Sequence, residues 1–171
     1  MAFTVQDRHG SVADANAYIS VDEFKVYHSD RGQPFASYDD AAIEQAIVKA
    51  TDYLDTRFKY VGEVLRSDQP TEWPRVGATD NRGVHVNGIP TAVKEATAEY
   101  ALRALSGPIN PDPTRDDSGA VVAEKHEKVG PLEESVKYAA GGSFRMPVYP
   151  IADQKLRKAG FVRSGFDIAR G

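Results

Sequence analysis

Histidine is the side chain best suited to bind a metal or move a proton near neutral pH, and this chain has four: His9, His28, His85 and His126. They are scattered, no two stand at i, i+4, and there is no Cys, so no zinc-ligand spacing can be read. Asp112, Asp116 and Asp117 share one loop, but they lack the regular oxygen spacing, turn Gly and closing Glu of a calcium loop. A phosphate-cradling loop needs clustered Gly ahead of a helix, usually with a Lys, and that pattern does not occur. No Ser sits in a Gly-x-Ser-x-Gly elbow. The sequence therefore offers no catalytic, metal or cofactor residues, and the chain is read as a binding protein and not an enzyme.

Two features suit binding. Trp73-Pro74-Arg75 holds the only Trp, and Trp and Arg are favoured interface anchors. A lone Trp is more often buried, however, and core packing is the preferred reading for Trp73. The second feature is the C-terminal tail. From Gln154 onward Lys155, Arg157, Lys158, Arg163 and Arg170 face Asp167 alone, a net of +4 on a chain whose total is −4, which leaves −8 for the rest. Such asymmetry marks an interaction tail. With Phe161 and Phe166 between the cations, the tail suits docking on an acidic protein surface, or phosphate contacts with nucleic acid.

Helices must position these residues. Ser20 and Glu23 form a capping-box pattern ahead of a first helix, with Val21, Phe24, Tyr27 and His28 on one face and a stop at Gly32 and Pro34. Ile43, Ile47, Ala50, Leu54 and Phe58 recur in steps of three and four, which predicts a second helix capped near residues 37–40 and ended by Gly62. Asp55 and Lys59 have the spacing of an i, i+4 ion pair on that helix. Residues 63–89 are rich in Pro and Gly, with a short strand expected around Val84 and Val86. A third helix begins at Pro90 and ends at Gly107-Pro108, with an Ala-rich face that lets another helix approach closely. Residues 110–119 read as a loop. Residues 120–129 and 132–139 read as two strands turning at Gly130-Pro131, and 151–158 as a short last helix.

The length of 171 residues allows one compact domain with a hydrophobic core. No apolar stretch is long enough to cross a bilayer, and no secretory signal is expected at the N-terminus. The net negative charge disfavours a free-standing DNA binder. The fold class expected is mainly α: a small helical bundle with a projecting β-hairpin and an extended C-terminal arm. Its parts are an N-terminal arm and bundle core at 1–107, a loop and hairpin at 108–142, and the arm at 143–171.

Several strings resemble a family of small tailed-bacteriophage proteins, the head-to-tail connectors or adaptors that sit beneath the portal. They are Ala17-Tyr18-Ile19-Ser20-Val21-Asp22-Glu23, Ala50-Thr51-Asp52-Tyr53-Leu54-Asp55, Glu72-Trp73-Pro74-Arg75-Val76-Gly77, Ile89-Pro90-Thr91-Ala92-Val93-Lys94, Glu127-Lys128-Val129-Gly130-Pro131-Leu132 and Tyr149-Pro150. Their order and spacing span most of the chain. The resemblance implies a virion protein of the phage neck, made in the bacterial cytoplasm. It would assemble with copies of itself into a ring, a dodecamer by analogy, joining the portal protein to a tail or nozzle protein, with double-stranded DNA passing through and no membrane involved. The surplus acidity outside the tail suits a channel wall over which DNA slides. On this reading Arg157, Lys158, Phe161, Arg163 and Phe166 dock on the portal, and Lys128, Gly130 and Pro131 contact a ring neighbour or the tail. Some phage proteins with these strings are labelled DnaT-like single-stranded-DNA-binding proteins, and a replication protein of that class is the alternative.

Overall fold

The computed structural model describes residues 2–111, 122–128, 133–138 and 149–163. The chain divides into two compact units, one of residues 1–109 with 149–171 and one of residues 110–148.

The larger unit is built on helices. α1 spans Val21–Ser29 and starts with the predicted capping box: Ser20 accepts from the Glu23 backbone N–H, and the Glu23 carboxylate accepts from the Ser20 N–H. α2 spans Asp40–Arg57, capped by the Asp39 side chain on the Ala42 N–H. Its stripe of Ile43, Ile47, Ala50, Leu54 and Phe58 is buried as the spacing requires. α3 spans Thr91–Ser106 and packs Val93, Ala96, Thr97, Tyr100 and Ala101 into the same core. Pro90 stands at its N-cap, one position earlier than the first-turn site expected. α4 spans Pro150–Ala159 and lies against α3, burying Ala152, Asp153 and Leu156.

Between α2 and α3 the chain forms a two-residue ladder, β1 (Glu63–Val64) with β2 (Arg75–Val76), antiparallel. Residues 78–86 fold back as a tight turn rather than the expected strand: the Asp80 N–H donates to Val84 O at 2.9 Å and the Val86 N–H to Ala78 O at 3.0 Å. In the smaller unit β3 (Val122–Lys128) pairs antiparallel with β4 (Glu133–Tyr138), with a register irregularity between Val122 and Glu124. The hairpin expected from Gly130-Pro131 is thus present in its strands, while Gly130 and Pro131 themselves lie outside the described residues.

Two expectations are corrected. The segment from Tyr149 to Arg163 is no extended arm. Gly160, left-handed at φ 82°, ends α4 and turns the chain so that residues 161–163 run antiparallel to 59–61. The Val61 N–H donates to Phe161 O at 3.0 Å and the Arg163 N–H to Lys59 O at 2.9 Å. A Cβ at Gly160 would stand 2.9 Å from the Asn81 nitrogen, so the turn needs Gly. The Asp55–Lys59 pair is also replaced. α2 ends at Arg57, and Asp55 turns inward to the Tyr18 hydroxyl at 2.5 Å and the Glu72 N–H at 3.1 Å.

Candidate functional site: two clefts around one turn

The 78–86 turn separates two clefts. The first, about 740 Å³, is lined by Arg8, His9, Leu65, Arg75, Val76, Gly77 and residues 85–88, and no acidic side chain among the described residues lines it. The second, about 1020 Å³, lies between the turn, the start of α3 and α4; its charged walls are Asp80, Arg82, Glu95, Lys155 and Lys158. His85, Val86 and Asn87 line both.

Buried contacts fix the walls. Tyr18 is fully buried; its hydroxyl donates to Asp55 and accepts from the Trp73 N–H at 3.1 Å. This chain pins the 71–75 segment. Burial pushes the Asp55 carboxyl up to about 7, and burial likewise raises the Tyr18 phenol, which stays protonated and able to donate. Arg75, 8% exposed, spends its guanidinium on Val61 O, Gly62 O, Glu72 O and the Glu72 carboxylate. It is therefore a wall of the first cleft with little capacity to hold a ligand. Gly88 lets the backbone pass Arg8, whose Cβ would be 2.9 Å from a Cβ added there.

The second cleft's acids are neutralised in place. Asp80 accepts from the Val84 and Arg82 backbone N–H groups and from the Arg82 guanidinium; these bonds, led by that of Val84, hold its carboxyl below its ordinary value. Glu95 pairs with Lys155 at 2.7 Å and Arg31 at 3.7 Å. Arg8 is exposed and donates to the neighbouring His9 ring, at 2.9 Å. Lys158 is exposed on α4, where its backbone carbonyl accepts from Asn81.

The residues expected to dock on a partner separate. Arg157 and Lys158 are exposed on α4, and Arg163 is exposed with its guanidinium 3.4 Å from Gly62 O and 3.8 Å from the Glu63 carboxylate. Phe161 is not an anchor awaiting a pocket. It is 4% exposed and packs edge-on to Trp73 with centroids 5.4 Å apart. Trp73 is wholly buried, as the core reading anticipated. Phe166 lies outside the described residues, as do Gly130 and Pro131; Lys128 is paired with Glu133 in the β3–β4 ladder.

Among the described residues no group of three His, Asp or Glu side chains could hold a metal, and no helix is long and apolar enough to cross a membrane. None of the described Phe, Tyr and Trp residues is fully exposed, though Phe3, Tyr27, Phe35, Tyr38 and Tyr149 are half-buried. Sequence reasoning missed Arg8 as a cleft residue, because its approach to the 85–88 segment leaves no local signal.

Fold and clefts together describe a small, mainly helical protein with two clefts around one turn. The chain belongs to the family described as "Putative DnaT-like ssDNA binding protein", whose model matches residues 1–170. No curated protein and no solved structure matches it. The family description is closer to the single-stranded-DNA-binding alternative than to the connector reading.

Proposed function

We propose that this protein binds single-stranded DNA and catalyses no reaction. The observation that carries the reading is the family match over residues 1–170. The first cleft supports it: a strand's phosphates would meet Arg8 with no acidic side chain among the described lining residues opposing them. The test is fluorescence anisotropy of a labelled oligo-dT with the full chain at low salt, with unlabelled duplex and oligo-dT as competitors. Saturable binding displaced better by oligo-dT than by duplex supports the reading, and absence of binding refutes it.

A second reading, the phage head-to-tail connector, draws on two observations. Residues 110–148 form a compact unit of their own around the β3–β4 hairpin, which suits a contact arm in an assembly. The described residues offer no fully exposed Phe, Tyr or Trp as a platform on which bases stack. In that case Arg157, Lys158 and Arg163, with Phe166 beyond them, would dock on a portal, and Lys128 and the Gly130-Pro131 turn would meet a neighbouring copy or a tail protein. Co-sedimentation with portal rings, lost on removal of residues 164–171, would favour this reading over DNA binding.

A further inference from the structure

Resting on the single-stranded-DNA reading, we propose that the strand crosses the 78–86 turn from the first cleft into the second, held by its phosphates between Arg8 at one end and Lys158 at the other. The ends of this track come from opposite ends of the chain: residues 8 and 9 of the N-terminal segment, and α4.

Three observations carry the assignment. First, His85, Val86 and Asn87 line both clefts, so the two adjoin at this turn. Second, the joined lining carries Arg8, Arg75, Arg82, Lys155 and Lys158 against Asp80 and Glu95, a net of +3 on a chain of −4. Both acids are already paired, Asp80 with Arg82 and Glu95 with Lys155, and Arg75 is paired with Glu72 outside the lining, so among the described residues the available positive charge is that of Arg8 and Lys158. A surplus concentrated on one surface of an acidic protein attracts a polyanion there and repels it elsewhere. Third, the exposed large hydrophobic side chains along the path are aliphatic, Leu65 at 41%, Val76 at 54%, Val84 at 55% and Ile151 at 57%, and they stand beside exposed polar side chains that include His9 and His85. The aliphatic side chains offer bases apolar contact, and no exposed Phe, Tyr or Trp among the described residues lines the path. Recognition on this track is therefore of the backbone, and nearly indifferent to base identity.

The experiment compares the full chain with Arg8→Glu, Lys158→Glu, the double variant and Lys49→Glu, by anisotropy with labelled oligo-dT and with an abasic oligonucleotide of equal length. Lys49 is exposed on α2 and lines neither cleft, so it controls for the change in net charge. All these positions are exposed, and Trp73 emission checks that each variant folds. Each cleft reversal is expected to weaken binding about fivefold, the double variant about twentyfold or more, and Lys49→Glu less than about twofold. The wild-type affinity for the abasic strand should lie within about threefold of that for oligo-dT, since phosphates dominate. If the wild type binds and all four variants bind equally well, the track is wrong while DNA binding stands. A large loss on the abasic strand also overturns the track, because bases would then carry the affinity. If the wild type does not bind at all, the underlying reading falls and the track with it.

Discussion

Asp55 should make the stability of this protein fall as pH rises through neutrality, and Asp55→Asn should remove that fall. The carboxyl is raised by burial from 3.8 to about 7, against the opposing hydrogen bonds from Tyr18 and the Glu72 N–H. Between those values the folded state holds a proton that the unfolded state has released. The folded state's advantage is therefore complete below about 4, declines as pH rises, and is gone above about 7. Each unit is worth about 1.4 kcal/mol, so from pH 5 to pH 8 the wild type should lose about 3 kcal/mol on this account. His28 acts in the opposite direction. Burial lowers its pKa, so its contribution is lost as pH falls through the 6.5 region. Since both proteins contain His28, the difference between them cancels its effect. Asn keeps the volume and can still accept from the Glu72 N–H, but Tyr18 must reorient, at a cost of about 1–3 kcal/mol that does not vary with pH. The assay is urea unfolding followed by the emission of Trp73, at pH 5, 6, 7 and 8. Wild type minus variant should shift by about 3 kcal/mol in favour of the variant across that range. Parallel stability curves for the two proteins would refute the reasoning and show that Asp55 ionises as an ordinary surface carboxylate.

Asp153 is 6% exposed and joins three helices: it accepts from Tyr100 on α3 and from Arg57 on α2, the latter at 2.9 Å. Asp153→Ala leaves a half-buried Arg57 without that partner and should cost about 3–5 kcal/mol in denaturant unfolding. Phe161→Ala should cost about 3–4 kcal/mol by opening a cavity beside Trp73, a loss seen in the melting of the isolated chain whatever partner is present. Ser20→Ala breaks the α1 capping box and should cost about 1 kcal/mol, which thermal unfolding resolves.

Local rules made the helices legible. The capping box at Ser20 and the period of the α2 stripe each depend on residues within a few turns, and both elements stand where those residues put them. Failure came where distant contacts decide. Asp55 has ion-pair spacing to Lys59, but the helix stops at Arg57 and the hydroxyl of Tyr18 claims the carboxylate. Phe161 sits among cations in sequence and reads as a docking anchor. The turn at Gly160 and the pairing of residues 161–163 with 59–61 instead carry it into the core. The clefts were not legible for the same reason. Arg8, the 78–86 turn and Lys158 come together only after folding, and neutralisation of Asp80 and Glu95 by Arg82 and Lys155 shows only in the structure. The charge asymmetry of the C-terminal segment was readable, and Lys158 is the part of it that reaches a cleft.

The central claim, binding to single-stranded DNA, is tested most directly by titrating labelled oligo-dT with the full chain at several salt concentrations. The account predicts saturable binding at low salt that weakens linearly in log–log form. Two to three neutralised phosphates would give a slope of about −1.5 to −2. No detectable binding at the lowest salt, or an affinity that salt does not alter, would contradict it.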